Sequence, residues 1–259
     1  MASIFVTGSS AGIGRETAQA LLGMGHRVVL HARDNARALE TEEAVPGAAA
    51  VVVGDLASLD QTRAVGEAAR DEGPYDAVVH NAGVGGGSSP RVVTADGLER
   101  IFQINALAPY VLTAIMERPA RLIYLSSGLQ GRGTAQLDDL QFARRRWDAD
   151  QAYSDSKLYD VMLALAVSRR WPGTLSNAVD PGWIKTRMGG PYAPDPLALG
   201  AETQVWLATS GEPAARVTGR FWHRRKQVPV NPAARDEALQ ERFLQICASL
   251  SGVKLPGAG

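Results

Sequence analysis

One cysteine, Cys247, is all the thiol chemistry that the 259 residues carry. It excludes an internal disulfide and any zinc site built on several thiolates, and it fits a reducing compartment. Long apolar runs are missing too. Nowhere do about 18 consecutive apolar residues occur, and the opening MASIFVTGSS has neither a basic n-region nor a long apolar h-region. The expectation is a soluble, cytoplasmic protein with no membrane partner. Net charge is also absent: 27 Lys+Arg balance 27 Asp+Glu at a pI of 6.9, so no overall field draws the chain to nucleic acid. His26, His31, His80 and His223 lack metal-ligand spacing, and no metal is expected. What is present, 45% hydrophobic and 21% charged residues, is ordinary globular composition. A chain this long buries most of the surface its unfolded form exposes, which excludes disorder and fibres. With no repeat and no linker, residues 1–259 read as one domain.

Two periods alternate through the N-terminal half. Short apolar or β-branched runs at Ile4–Thr7, Arg27–His31, Ala50–Val53, Ala77–His80 and Leu122–Leu125 read as strands buried on both faces. Helical spacing covers Ile13–Leu22, Leu59–Arg70 and Leu98–Met116 between them. Strand and helix in alternation call for right-handed crossovers and a doubly wound parallel α/β sheet. Ser127 to Asp150 has neither period and reads as a loop over the carboxyl edge. A long helix is expected from about Tyr153 to Trp171, stopped by Pro172-Gly173, then a strand at Leu175–Val179 before Asp180-Pro181-Gly182. The stretch from Gly189 to Pro196 is irregular, Phe221-Trp222 closes a last strand, and Ala234–Leu250 is an amphipathic helix.

The first strand runs into Thr7-Gly8-Ser9-Ser10-Ala11-Gly12-Ile13-Gly14 and then a helix. Glycines there permit a tight turn and let a ligand's phosphates approach backbone N–H groups at the positive end of the helix dipole. The same residues admit a second chemistry. Gly8-Ser9-Ser10-Ala11-Gly12 matches the G-x-S-x-G nucleophile elbow, with Ser10 as nucleophile and His223 as a candidate base. Only seven residues precede Gly8, however, leaving no earlier loop to complete an oxyanion hole.

Further motifs come after the turn in order, and with them the sequence resembles the short-chain dehydrogenase/reductase family. Thr7–Gly14 matches its T-G-x-x-x-G-x-G, Asp55-Leu56 follows the third strand, and Asn81-Ala82-Gly83 follows the fourth. Ser127 ends the fifth strand, Tyr153 to Lys157 matches Y-x-x-x-K, and Pro181-Gly182 follows the sixth. The resemblance runs from about Ile4 to Thr186 and is loose beyond it. It implies a Rossmann fold, an NAD(P) cofactor and hydride transfer between a carbonyl and an alcohol. The cofactor would be held by Thr7, Gly8, Ser10, Gly12, Ile13, Gly14, Arg33, Asp55, Leu56, Asn81, Ala82, Gly83, Tyr153, Lys157, Pro181 and Gly182. Catalysis would fall to Asn105, Ser127, Tyr153 and Lys157. A catalytically idle nucleotide sensor on the same fold is the alternative, although it would not need the last three.

The implied chemistry is sound for these residue types. Tyr153 and Lys157 are four apart and share one helix face. An adjacent ammonium and a cationic nicotinamide both favour the phenolate, so Tyr153 can serve as acid and base. Ser127 can donate to the substrate oxygen, and Asn105 is similar to the family asparagine that anchors a water behind the lysine. At the end of the second strand, Ala32 stands where NAD-dependent members carry Asp and Arg33 is next in the chain, which resembles the NADP pattern. Asp34 either caps the next short helix or reaches the ribose hydroxyls of NAD. Ser127 to Tyr153 spans 26 residues, about twice the family's usual interval, and this insertion resembles the retinol-dehydrogenase-like branch. It and residues 183–200 are the expected substrate loops. Arg144–Arg146 and His223–Lys226 read as solvated, Trp183 as core or substrate wall, and Gly85-Gly86-Gly87 as a mobile loop near the nicotinamide. The short segment between Thr113 and Arg121 leaves a homo-oligomer open.

Overall fold

The apolar runs form strands where their periodicity marks them: β1 (Ser3–Val6), β2 (Arg27–Ala32), β3 (Ala50–Val53), β4 (Ala77–His80), β5 (Arg121–Leu125), β6 (Leu175–Asp180) and β7 (Phe221–His223). A computed structural model describes residues 1–85 and 90–257. These strands pair in parallel in the order β3-β2-β1-β4-β5-β6-β7, and β8 (Lys226–Gln227) closes the edge antiparallel to β7. β8 has two exposed residues, too few to leave a period in the sequence.

Each central strand sends alternate side chains into two cores. Phe5, Val29, Val78, Leu122 and Tyr124 enter one. Ile4, Val6, Val28, Leu30, Val79 and Ile123 enter the other. The first core is covered by α3 (Leu59–Asp71), α5 (Ala108–Ile115), α6 (Ala149–Arg170) and α8 (Glu237–Ser251), the second by α1 (Gly12–Gly23) and α7 (Leu197–Thr209). This is the doubly wound arrangement, and the strand order reverses between β1 and β4. A crevice therefore opens at the carboxyl edge above these two strands.

Several elements differ from the sequence reading. Leu98–Met116 is interrupted: α4 (Arg100–Phe102) passes into a π turn at Gln103–Leu107 before α5. α6 begins at Ala149, capped by Asp148 accepting from Gln151 N at 2.9 Å, so Tyr153 lies one turn inside the helix rather than at its start. α8 begins at Glu237 because Pro232–Arg235 forms a separate 3₁₀ turn and Asp236 caps the helix proper. α7 left no signal because LALGAETQVWLAT spreads apolar residues around the helix without a stripe. α2 (Asn35–Ala44) starts at an Asp34 cap that accepts from Arg37 N at 2.8 Å, which selects the capping role for that carboxylate. Among the described residues no helix is long and apolar enough to cross a membrane.

Candidate active site

The glycine turn is fixed by close approach. A Cβ on Gly14 would stand 2.3 Å from Asn81 Nδ2 and 2.4 Å from the Gly8 carbonyl oxygen. Gly8 and Gly12 adopt φ of 62° and 57°, which glycine tolerates at no steric cost. Thr7 and Asn81 spend their side chains on the turn itself. Thr7 Oγ1 accepts from Asn81 N at 2.9 Å and Ala82 N at 3.0 Å, while Asn81 Nδ2 donates to the carbonyls of Thr7 at 2.9 Å and Gly8 at 3.1 Å. The N-cap of α1 is Ala11, which offers no side-chain acceptor, so the first-turn N–H groups face the crevice without a side-chain cap. That cradle fits a diphosphate.

Ser127, Tyr153, Lys157 and Asn105 converge at the carboxyl edge beside this turn. Ser127 caps a 3₁₀ turn after β5, its oxygen accepting from Leu129 N at 3.2 Å, and its hydroxyl is near enough to the Tyr153 phenol to favour its ionised form slightly. Lys157 Nζ lies 5.7 Å from the centre of the Tyr153 ring. Asn105 sits in the π turn, the irregularity that rotates its amide out of the helix ladder. There it donates to Val84 O at 2.8 Å and Ser156 Oγ at 2.9 Å and accepts from Val84 N at 2.8 Å. It thus staples the segment after β4 to α6. Gly83 packs against both Asn105 and Lys157, and Gly85, at φ 114°, against the Tyr153 ring. Gly86 and Gly87, the rest of the expected loop, lie outside the described residues.

Two opposed effects set the phenol. The Lys157 ammonium does pull the Tyr153 phenol down, but loss of water around the half-buried ring is the larger effect, and Asp160 and Asp180 add to it, so the phenol lies above its ordinary value. Lys157 itself is 4% exposed, its Nζ donating to Leu125 O at 2.7 Å and to Asp160 Oδ2 at 2.8 Å. Sequence reasoning missed Asp160; an acid three residues after a helical lysine was the available signal. It missed Asp180 as well, whose Oδ1 accepts from Gly182 N at 3.0 Å and whose Oδ2 is 3.3 Å from His223 Nδ1. This carboxylate clamps the Pro181-Gly182 turn, with Gly182 at φ 96°, to the end of β7.

The remaining expected residues divide. Arg33 is exposed at the crevice and its only partner among the described residues is Asp34, Nε to Oδ2 at 3.1 Å. Asp55 accepts from Ala57 N at 2.9 Å. Leu56 is buried in the core, so only its backbone is free for a ligand. Ile13 is half-buried against the core on the α1 and α7 side, and among the described residues Ser10 hydrogen-bonds to no histidine, the candidate base His223 being held by Asp180. Trp183 is exposed, its Nε1 donating to Gly189 O at 2.8 Å, and is not core. Arg145 is not a solvated loop residue. Its guanidinium meets Asp155 at 2.7 Å and stacks 3.6 Å over the Phe142 ring, strapping the insertion to α6. Among the described residues no cluster of three or more His, Cys, Asp or Glu could hold a metal.

The profile of the short chain dehydrogenase family matches residues 2–132. An uncharacterized oxidoreductase of Emericella nidulans is 42% identical, over 99% of this chain and 100% of its own. The short-chain dehydrogenase chyC of Penicillium rubens is 39% identical over the same shares. Retinol dehydrogenase 14 of Homo sapiens is 30% identical over 97% of this chain and 86% of its own. An uncharacterized Mycobacterium paratuberculosis protein has the same fold, with a TM-score of 0.83 at 23% identity over 99% of this chain and 95% of that one. A blue fluorescent protein from a metagenomic library, solved in complex with NADPH, gives 0.66 at 25% identity over 86% and 95%. The chain belongs to the short-chain dehydrogenase/reductase family. It is an NAD(P)-binding oxidoreductase of that family, working between carbonyls and alcohols.

Proposed function

We propose that the protein is an NADPH-preferring carbonyl reductase in which Tyr153 protonates the carbonyl oxygen. The observation that carries this reading is the convergence of Ser127, Tyr153 and Lys157 beside an uncapped helix N-terminus. The first-turn N–H groups of α1 and the backbone of Gly8, Ser10, Gly12 and Ile13 hold the diphosphate. Asp55, the backbone of Leu56 and Ala82-Gly83 line the adenosine and ribose path, and Pro181-Gly182 flanks the nicotinamide. Arg33 meets the 2′-phosphate, for which a planar, permanently charged guanidinium is suited. Bound NADPH supplies the hydride to the carbonyl carbon. Ser127 orients the carbonyl oxygen and stabilises charge developing on it, and Tyr153 delivers the proton. A phenol held above its ordinary value stays protonated across the neutral range, which favours reduction there and confines oxidation to higher pH. The insertion at residues 128–150 and the segment at 183–200 form the substrate side, with exposed Trp183 offering an apolar wall. A retinol dehydrogenase among the relatives agrees with an apolar carbonyl.

The test pairs two variants in two assays. Tyr153→Phe keeps the ring and removes the donor, so NADPH consumption with a carbonyl panel should fall by about 10²–10⁴ while NADPH binding survives. Ser10→Ala should cost far less, because backbone N–H groups make the phosphate contacts. Retained reduction in Tyr153→Phe overturns the mechanism. Ester hydrolysis lost only in Ser10→Ala overturns the class, and NADPH binding without turnover on any carbonyl leaves the idle sensor.

A further inference from the structure

Behind the lysine lies a carboxylate that the Y-x-x-x-K motif does not include. Asp160 comes three residues after Lys157 on α6, and the pair meets at 2.8 Å with side chains only 5% and 3% exposed. The Leu125 carbonyl takes a second N–H at 2.7 Å. An ammonium has three donors. One hydrogen is therefore left, and Nζ stands 3.6 Å from a Cβ placed on Gly83 and 5.7 Å from the centre of the Tyr153 ring.

We propose that Asp160 is a positioning residue of this site: it anchors Lys157 from within the core as its counter-ion, so that the lysine presents a single N–H to the phenol and ribose oxygens. The physical case is the cost of the alternative. A buried ammonium with only one carbonyl for company loses its charge readily, since burial disfavours the ionised form. Burial does pull Lys157 down, yet Asp160, with a further contribution from Tyr153, more than offsets it and the ammonium persists above its usual range. Few other charges reach the pair. Asp180 from β6 acts on Tyr153, which lies on the same helix as Lys157. Tyr124 from β5 faces Asp160 and is held neutral by burial, its hydroxyl tied to Thr113 of α5 at 2.9 Å. His80 of β4, bonded to the same Thr113 at 3.0 Å, is held neutral in turn. Asn105 on the π turn carries no charge. Asp160 is thus the one negative group in contact with the lysine among the described residues.

What Lys157 does rests on the reductase reading, but its protonation can be measured without turnover. The chain has four lysines, and Lys185, Lys226 and Lys254 are exposed. Lysine labelled with carbon-13 at the ε position therefore gives one buried signal against three exposed ones. In the wild-type protein without added cofactor, the Lys157 signal should remain that of an ammonium through the neutral range. It should also show an acid-side inflection, absent from the other three, as Asp160 protonates above the usual carboxylate range. In Asp160→Asn the Lys157 signal should convert to the neutral amine at least about one pH unit lower. An Asn variant titrating like the wild type overturns the assignment. If that variant does not fold, the wild-type titration decides: a Lys157 signal that turns to the neutral amine within the neutral range overturns the assignment. A failure of Tyr153→Phe to lose reduction is read separately and bears only on the reductase mechanism.

Discussion

Arg33 shows how much a single position can carry when a neighbour is already committed. Asp34, the acid next to Arg33 that could take the adenosine ribose, is engaged as the α2 cap. Its other oxygen holds Arg33 Nε, leaving the guanidinium's terminal N–H groups turned to solvent at the crevice. Arg33→Ala should therefore weaken NADPH binding by about 1.5–3 kcal/mol, the range for a charge-assisted hydrogen bond, and leave NADH nearly unchanged. Fluorescence titration with both cofactors measures this, and equal affinities of the wild-type protein for the two would refute it. Family order made Ser127, Tyr153 and Lys157 stand out in the sequence, because each alone reads as an ordinary packing or surface residue and only their sequence after the glycine turn points to one site. Asp160 and Asp180 were not legible. A carboxylate's role depends on whether water or an ammonium surrounds it, and the three-residue spacing of Asp160 from Lys157 marks adjacency without marking burial.

Among the elements, the insertion between β5 and α6 joins what the sequence could not relate. Its period-free stretch reads as loop, but it holds two short 3₁₀ turns, at Gly128–Arg132 and Leu137–Asp139, and α6 begins inside it at Ala149; a buried long-range clasp ties it to that helix. Arg145 donates to Asp155 and to Thr134 Oγ1, and Asp155 also accepts from Thr134 N at 2.6 Å and Gln151 Nε2 at 2.7 Å. Asp155 is 1% exposed, so removing the guanidinium leaves a buried carboxylate with neutral partners only. Arg145→Ala should cost about 2–3 kcal/mol by urea unfolding. It should also loosen the wall over the substrate and raise KM for bulky carbonyls, with NADPH affinity unchanged because the glycine turn lies elsewhere on the edge. Unaltered substrate kinetics in a destabilised variant would reduce the strap to a structural role. Strands β1 to β7 and helices α1 and α3 were legible for the opposite reason: their burial is local, and periodicity is a record of local burial. The π turn escaped because one extra residue in a helical ladder leaves the apolar spacing nearly intact.

For the molecule as a whole, the two-core sheet buries titratable groups whose shifts oppose each other in acid. His80 is fully enclosed between the strands and α5, stacked on Tyr124 at 4.8 Å, and burial pushes it down to about 3 from 6.5. The unfolded chain thus binds a proton below about pH 6.5 that the folded chain refuses until about pH 3. Stability through this group is lost as pH falls across that window. Asp160 works in the other direction. Burial raises it to about 6 from 3.8, so its contribution favours the folded state at low pH and fades as pH rises through about 6. The acid profile of the wild-type protein is a difference of such effects, and only a variant isolates one of them. His80→Gln keeps a hydrogen-bonding partner for Thr113 and removes the titration. Its absolute stability should drop by a pH-independent amount for the lost ring stack. Between pH 7 and pH 5, however, the wild-type protein should lose about 2 kcal/mol more than the variant, the free energy of protonating one unfolded histidine over that interval. Urea unfolding of both proteins at the two pH values measures the difference. Parallel losses would mean that His80 takes up its proton while folded, and the acid sensitivity would then have to come from His31, which burial also lowers.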